Sequence, residues 1–475
     1  MLNLRAISVI TFVVINGCQD PHPNYDLLID TGSVITGDDS GHDQDEYIAD
    51  DTSTTTTLPI YGPTLYPNDR IQSPITAYVA DRLLNLSHID GPHDNVFMKV
   101  GASSTVSSST LHCFAGSNVE LDIHESELID TLDYFLTGDA QGSTPFDRST
   151  LAAISGKTAA WVIDGNPSPL DQETAAISPR IAIIHYGTND MGMGSTPDSA
   201  MPNFHDSMMF MIDHLLSQGI VPVLTGISHR GDSTSANRWV NTYNTVIRGM
   251  AQRAQVPFID LHLAMDPLQG HGLAGDGIHL NGYAGGPCVL TQEGLQHGYP
   301  TRNLIVLEAL DRLHQVLNQG VAYLDPTEDL LHGDGAPQTP FEIPSLPFTD
   351  SQDTDLSPHD NIDVYTGCAP DTDESGPEYL YTLQIDKPTR IRAMVLDEGD
   401  VDIDIHLLDS TGSSQGCLAR AHRTIEMSLE PGQYTFSLDT WVDATDEEMA
   451  GEYLFVVLEC NDDDSACDTT PNPSQ

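Results

Sequence analysis

Three short fragments of this 475-residue chain carry side chains suited to nucleophilic chemistry: Gly101-Ala102-Ser103, Gly187-Thr188-Asn189-Asp190 and Asp276-Gly277-Ile278-His279. A serine hydroxyl is a weak nucleophile until an imidazole takes its proton, a carboxylate orients that imidazole, and N–H donors meet the oxyanion that forms. Ser103, His279, Asp276 and Asn189 are the residue types this chemistry demands, in fragments placed after apolar runs that read as β-strands. Each fragment also has a plainer reading. Ser104, Ser107, Ser108 and Ser109 make the first look like a serine-rich loop. The second could be an ordinary turn, because Gly and Asn tolerate positive φ and Asp caps helices. His185, His262 and His271 are rival bases, the first two in or beside strands where histidines more often serve structure.

The elements that must position these residues alternate in type. A helix is expected over residues 75–86, a strand over 95–100, helix over 121–136, strand over 181–186, an amphipathic helix over 208–217, then strand 221–224, helix 236–254, strand 258–261 and helix 304–317. That order predicts an α/β domain with a parallel sheet, whose ligands sit outside the carboxyl ends of the strands. All three fragments fall there.

Composition narrows the function. Seventy Asp and Glu against 18 Lys and Arg give a formal charge of −52, which repels phosphate backbones and argues against nucleic-acid binding. At 39% apolar residues the chain can build real cores, and its length allows more than one domain. Arg5 and an apolar run over residues 6–15 lead to Asn16-Gly17-Cys18, too short to span a bilayer and suited to an export signal. Residues 1–17 are expected to be a signal peptide of the kind that ends at a lipidated cysteine, here Cys18, so that contact with a membrane would run through that lipid alone. The alternative is an ordinary secretory signal, and either one places the chain outside the cytoplasm. The other six cysteines, Cys113, Cys288, Cys368, Cys417, Cys460 and Cys467, form an even set suited to disulfides after export. A Cys113–Cys288 bridge would tie the segment after Ser103 to the segment after His279; two separate thiols are the alternative.

Residues 18–60 read as an acidic disordered tether. Residues 325–358, punctuated by prolines and acidic side chains, read as an interdomain linker, and 461–475 as an acidic tail. This leaves a domain over 61–324 and a second over 359–460.

Within the first of these, the three fragments resemble, in order, the sequence blocks of the SGNH (GDSL-like) hydrolase family. The resemblance implies a flavodoxin-like three-layer α/β/α fold and a serine esterase without a metal or other cofactor. In that reading Ser103 is the nucleophile, His279 the base and later the acid, and Asp276 the orienting carboxylate. Asn189, the Ser103 N–H and a glycine N–H form the oxyanion hole, the glycine being Gly156 in Ser155-Gly156-Lys157-Thr158 or, as second choice, Gly142. The first block departs from the family's Gly-Asp-Ser, because Ala102 stands where the family has Asp. That departure motivates a second reading, a surface binding protein that has lost catalysis. The expected partner is an ester substrate, carried on a carbohydrate or a lipid.

Short alternating strands are expected over 379–385, 391–396, 401–408, 424–429, 434–438 and 453–458, which together predict an antiparallel β-sandwich. Ser375-Gly376-Pro377-Glu378-Tyr379 and Pro431-Gly432-Gln433-Tyr434 resemble bacterial pre-peptidase C-terminal domains, implying an accessory module that binds a surface or polymer. Asp400, Asp402 and Asp404, spaced by two, read as the solvated face of a strand, with a calcium site as the alternative, although Ile405 stands where an EF-hand loop needs Gly. Gly412-Ser413-Ser414-Gln415-Gly416 lacks a strand-to-helix elbow, and the P-loop-like 155–158 has Leu151 where its first glycine belongs.

Overall fold

The apolar runs ahead of the polar fragments fold as parallel strands: β1 (His93–Gly101), β2 (Pro179–His185), β3 (Val221–Thr225) and β4 (Phe258–Ile259), hydrogen-bonded in that order. The computed structural model describes residues 61–327 and 330–470; the signal peptide, Cys18 and the tether expected over 1–60 lie outside the described residues. β2 and β3 are buried along their whole length, as a sheet covered on both faces requires. A single parallel bridge, Gly101 to Ala153, extends the sheet on the free side of β1.

The covering helices are α1 (Ala77–Ser87), α2 (Ser103–Val106), α3 (Glu125–Leu136), α4 (Ala159–Ile163), α5 (Pro169–Ile177), α6 (Pro197–Ser217), α7 (Thr234–Ala254), α8 (Leu261–Met265) and α9 (Gly298–Leu317). α1, α3 and α8 pack on α9, whereas α4 packs on α5 and α6, and α6 on α7, giving the expected three layers. Three elements differ from expectation for identifiable reasons. α6 starts well before residue 208, at a capping box in which Thr196 and Ser199 satisfy each other's backbone N–H groups, and it accommodates Pro202. The strand expected over 258–261 stops at Ile259 because the Asp260 carboxylate caps α8 through the Leu263 N–H at 2.9 Å. α9 begins at Gly298, not 304, which brings Arg302 and Asn303 into the helix. Among the described residues, no helix is long and apolar enough to cross a membrane.

Nine further strands form the β-sandwich: β5 (Phe341–Ile343), β6 (Phe348–Asp353), β7 (Glu378–Ile385), β8 (Thr389–Asp397), β9 (Ile403–Leu408), β10 (Cys417–Ala421), β11 (Thr424–Leu429), β12 (Gly432–Thr440) and β13 (Glu452–Glu459). One sheet runs β10-β9-β12-β7-β5 and the other β11-β8-β13-β6. All pairs are antiparallel except β5 on β7. β5 and β6 correct the expectation for 325–358: that stretch supplies an edge strand to each sheet. Proline cannot donate to a ladder and so is tolerated at strand boundaries, and Pro340, Pro344 and Pro347 all lie just outside β5 and β6.

The sandwich also packs directly against the α/β domain. β8 and β13 carry apolar side chains on both faces. Met394, Leu396, Leu454 and Val456 join the hydrophobic core of the α/β domain, while Ala393, Val395, Phe455 and Val457 fill the sandwich interior. α7 lies along this face. Gln252 on α7 donates to the Thr349 carbonyl at 2.8 Å, and the buried Arg392 guanidinium stacks over the Trp239 ring at 3.7 Å while bonding Thr242 at 2.9 Å. The expected solvated face of Asp402 and Asp404 is not solvated. Asp404 is fully buried and paired with Arg420, and Asp402 is half-buried against His422 at 2.9 Å.

Three disulfides close the described chain: Cys113–Cys288, Cys368–Cys417 and Cys460–Cys467.

Candidate active site

β1 ends at Gly101, where the chain must turn sharply to start α2. A side chain on Gly101 would sit 2.2 Å from Thr105 Oγ1 and 2.8 Å from the His185 carbonyl oxygen, so only glycine lets β1 lie against β2 at this point. Ala102 then caps α2 through its carbonyl, which accepts from the Thr105 and Val106 N–H groups at 3.0 Å. Ser103 is the first helical residue.

The Ser103 hydroxyl meets His279 Nε2 at 2.8 Å. On the other side of the ring, His279 Nδ1 lies 2.7 Å from Asp276 Oδ2. The second carboxylate oxygen of Asp276 accepts from the backbone N–H groups of Ile278 and His279, each at 3.0 Å. The hydrogen bond from His279, followed by those two N–H groups, holds the Asp276 carboxyl well below the usual carboxylate range, so it is an anion at neutral pH. The three residues come from distant stretches of chain and meet at the carboxyl edge of the sheet.

Two of the rival histidines stand elsewhere. His262 stacks on His229 at 3.7 Å between ring centres, and His271 stacks on His229 at the same distance. His185 lies beneath the site, buried at the end of β2; burial and the nearby Arg302 guanidinium keep its imidazole well below the ordinary histidine range.

The second fragment is built around Asp190. Its buried carboxylate accepts from the Gly187 N–H at 2.9 Å and the Ala159 N–H at 2.8 Å, fixing the turn after β2 to the start of α4. Burial raises its pKa despite those bonds. Asn189 then projects beside Ser103, with its amide Nδ2 donating one N–H to the Lys157 carbonyl at 2.9 Å and holding a second N–H for another acceptor. Ala102, Ser103, Thr188, Asn189 and Ile278 line a small cleft of about 20 Å³. Gly156 precedes Lys157 in an exposed turn and does not line that cleft. Gly142 is removed from contention because its N–H is taken by Asp139 at 2.7 Å.

Sequence reasoning missed the residues that brace this edge. Arg302 on α9 is buried and donates to the Ser104 carbonyl at 2.9 Å. Burial brings its guanidinium down to about 10. Its neighbour Asn303 accepts from the Leu111 N–H and donates to the carbonyls of Ser109 and Pro287, all at 2.9 Å. Together with the Cys113–Cys288 bridge, these bonds clamp the segment after Ser103 to the segment after His279. Their signal lay in the start of α9, which no cap in the sequence marks. Arg230 ties the other two fragments: its guanidinium donates to the Thr188 carbonyl at 2.9 Å, and the next residue, Gly231, donates its N–H to the Gly277 carbonyl at 2.8 Å.

That last contact makes a test. Gly277 has φ +70°, and a side chain there would lie 2.7 Å from the Asp232 nitrogen and the Gly231 carbonyl carbon. Gly277→Ala should therefore push the Asp276–His279 loop off Gly231. We expect kcat to fall on the order of a hundredfold, the scale of an ångström-sized misplacement, with KM changed little. Steady-state kinetics with unaltered kcat would show that the loop does not need this contact.

Residues 134–284 match the GDSL-like Lipase/Acylhydrolase family, a stretch that includes Asn189, Asp276 and His279 and begins after Ser103. No curated protein matches the chain in sequence. Among solved structures, a GDSL-like lipase from Bacteroides thetaiotaomicron VPI-5482 aligns over 50% of this chain and 98% of its own, at 15% identity and a TM-score of 0.30. An acetylxylan esterase from Geobacillus stearothermophilus aligns over 47% of this chain and 96% of its own, at 13% identity and a TM-score of 0.30. Over residues 134–284 the chain thus carries a GDSL-like lipase/acylhydrolase domain, and a β-sandwich follows it.

Proposed function

We propose that this hydrolase cleaves short-acyl esters through an acyl-enzyme formed on Ser103, outside the cytoplasm. The observation that carries the mechanism is the unbroken chain from Ser103 Oγ to His279 to Asp276, at 2.8 and 2.7 Å. Ser103 Oγ attacks the ester carbonyl carbon while its proton passes to His279 Nε2, and Asp276 stabilises the imidazolium through Nδ1. The carbonyl oxygen becomes an oxyanion met by the free Asn189 N–H and the Ser103 N–H. Collapse of this intermediate breaks the bond to the alkoxy group, which leaves as the alcohol with the proton from His279. Water then gives a proton to His279 Nε2 as its oxygen attacks the acyl carbon; collapse breaks the bond to Ser103 Oγ, His279 returns the proton to that oxygen, and the carboxylic acid leaves.

The acyl preference follows from the cleft. At about 20 Å³ it holds little more than one water-sized group, which fits the methyl of an acetyl and not a fatty chain. Export rests on the apolar segment 6–15 and Cys18, whose lipidation would anchor the enzyme to a membrane, with the sandwich left to hold a surface or polymer.

Hydrolysis of a p-nitrophenyl ester series tests this reading. The rate should be highest for acetate and fall steadily by octanoate; a maximum at long chains would overturn the short-acyl assignment. Asn189→Ala should lower kcat for acetate on the order of a hundredfold, as loss of one oxyanion donor does, while KM changes little.

A further inference from the structure

We propose that Asp402, Asp404 and His422 form a binding site for a divalent transition metal at the edge of the β-sandwich, apart from the active site. The strand register brings the three together. β9 and β10 pair antiparallel with Ala421 opposite Ile405, so His422, just past the end of β10, lies across from Asp404. Asp402, two residues before Asp404, shares its face, because side chains alternate along a strand. His422 Nδ1 stands 2.9 Å from Asp402 Oδ1 and 3.5 Å from Asp404 Oδ1. Such separations suit ligand atoms gathered on one ion with bonds of about 2.0–2.2 Å, and one donor atom from each residue lies within 4.8 Å of the other two. A single ring nitrogen thus faces both carboxylates.

A second observation points to a ligand. Asp404 is fully buried and its Oδ1 has no hydrogen-bond partner in the protein; Asp402 Oδ1 is likewise buried and bare. The two unpartnered oxygens are the same two that His422 Nδ1 approaches. The other oxygen of Asp404 pairs with Arg420. Glu374, also fully buried and with both oxygens unpartnered, holds its Oε1 3.7 Å from that same guanidinium. One guanidinium therefore serves a cluster of three carboxylates. A divalent cation would neutralise the other two charges and give the bare oxygens the partner that buried carboxylates require. The imidazole beside the carboxylates favours Zn²⁺ and its neighbours over Ca²⁺ or Mg²⁺, which prefer oxygen alone. Entry is open, since the His422 side chain is 53% exposed, and water can complete the coordination shell.

The position gives such an ion a structural task. β10 stands at the end of its sheet, with β9 its one neighbour. Its first residue, Cys417, is tied to Cys368 by a disulfide. A metal on His422 would fasten the opposite end of the strand to β9.

The test is calorimetric titration of the metal-stripped full-length protein with Zn²⁺, with thermal unfolding followed in parallel. Wild type should bind and gain Tm. His422→Ala and Asp402→Asn, both on side chains that reach solvent, should each weaken binding by at least the roughly tenfold to hundredfold that loss of even an outer partner costs. Asp400→Asn removes a charge from the exposed neighbouring loop and should bind as wild type does. Ca²⁺ should bind more weakly than Zn²⁺. Absence of Zn²⁺ binding in the wild type, unchanged binding in both His422→Ala and Asp402→Asn, or an equal loss in Asp400→Asn overturns the proposal. Ca²⁺ binding as tight as that of Zn²⁺ and indifferent to His422→Ala overturns the choice of metal. Ser103→Ala should bind Zn²⁺ normally, so failure here is distinguishable from failure of the catalytic reading.

Discussion

Ser103→Ala should reduce kcat for an acetyl ester on the order of 10⁵–10⁶-fold while leaving the fold intact. The side chain is at the surface of the cleft, and the bonds that shape its turn come from the backbone: the Ala102 carbonyl accepts from Thr105 and Val106, and the Ser104 carbonyl from Arg302. Removing one oxygen breaks none of them. Covalent labelling by a fluorophosphonate should disappear in the same variant, and neither Ser104 nor Ser107 should inherit the label, because only Ser103 reaches His279 Nε2 at 2.8 Å. His279→Ala should be about as inactive. The double variant should be no worse than either single one, since groups that act as a unit are lost as a unit. Labelling that survives Ser103→Ala would sink the assignment. Labelling lost while the wild type shows no turnover on any ester would favour the binding-protein reading that Ala102 suggested.

The meeting of these residues was legible because strand ends in a parallel α/β sheet gather at one edge. The apolar runs before Gly101 and Gly187 are buried on both faces and contain few polar residues, so their strand character did not depend on subtle periodicity. The Cys113–Cys288 pairing was one of two open readings, and the structure forms that bridge. The missed features share a different physics. β5 and β6 hide among prolines that forbid helix but leave short strands free, and their pairing partners lie far along the chain in β7 and β13. The docking of the sandwich was written in the consecutive apolar residues of β8 and β13, which bury two faces where an exposed module would bury one. Arg302 and Asn303 were invisible because a buried arginine looks, in sequence, like a surface one; its environment is created by the chain folded over it.

These missed residues bear on how Ala102 is tolerated. The nucleophile turn is secured from beneath by Arg302 and Thr110 on the Ser104 carbonyl and from the side by Asn303. A carboxylate at position 102 is therefore not the sole support of this turn, and the distances from Ser103 to His279 and on to Asp276 are those of hydrogen-bonded partners.

Asp276→Asn separates charge from position. Asparagine keeps an oxygen that can accept from the Ile278 and His279 N–H groups, as Asp276 Oδ1 does at 3.0 Å, so the loop should hold its shape. The amide nitrogen would then face His279 Nδ1. That nitrogen would have to act as acceptor, placing the proton on Nε2, where it points at Ser103 and cannot receive the hydroxyl's proton. We expect kcat to fall between about 10³ and 10⁴-fold, the scale of losing this carboxylate in a triad. Water reaches the half-exposed Asp276 side chain, which favours the lower end. Asp276→Ala, which frees the ring to choose its tautomer but loosens the loop, should be no more active than twofold either way if tautomer and position matter equally. The pH dependence of stability has a fixed sign. The folded carboxyl is depressed, so its contribution is present above the unfolded value of about 3.9 and is lost as pH falls through the lower folded value. Asp276→Asn should remove that acid-side slope from the unfolding curve while the neutral-pH Tm changes little, given the solvent exposure of the pair. A variant that retained wild-type kcat would show that His279 is oriented by another group, and that the carboxylate serves only to shape the loop.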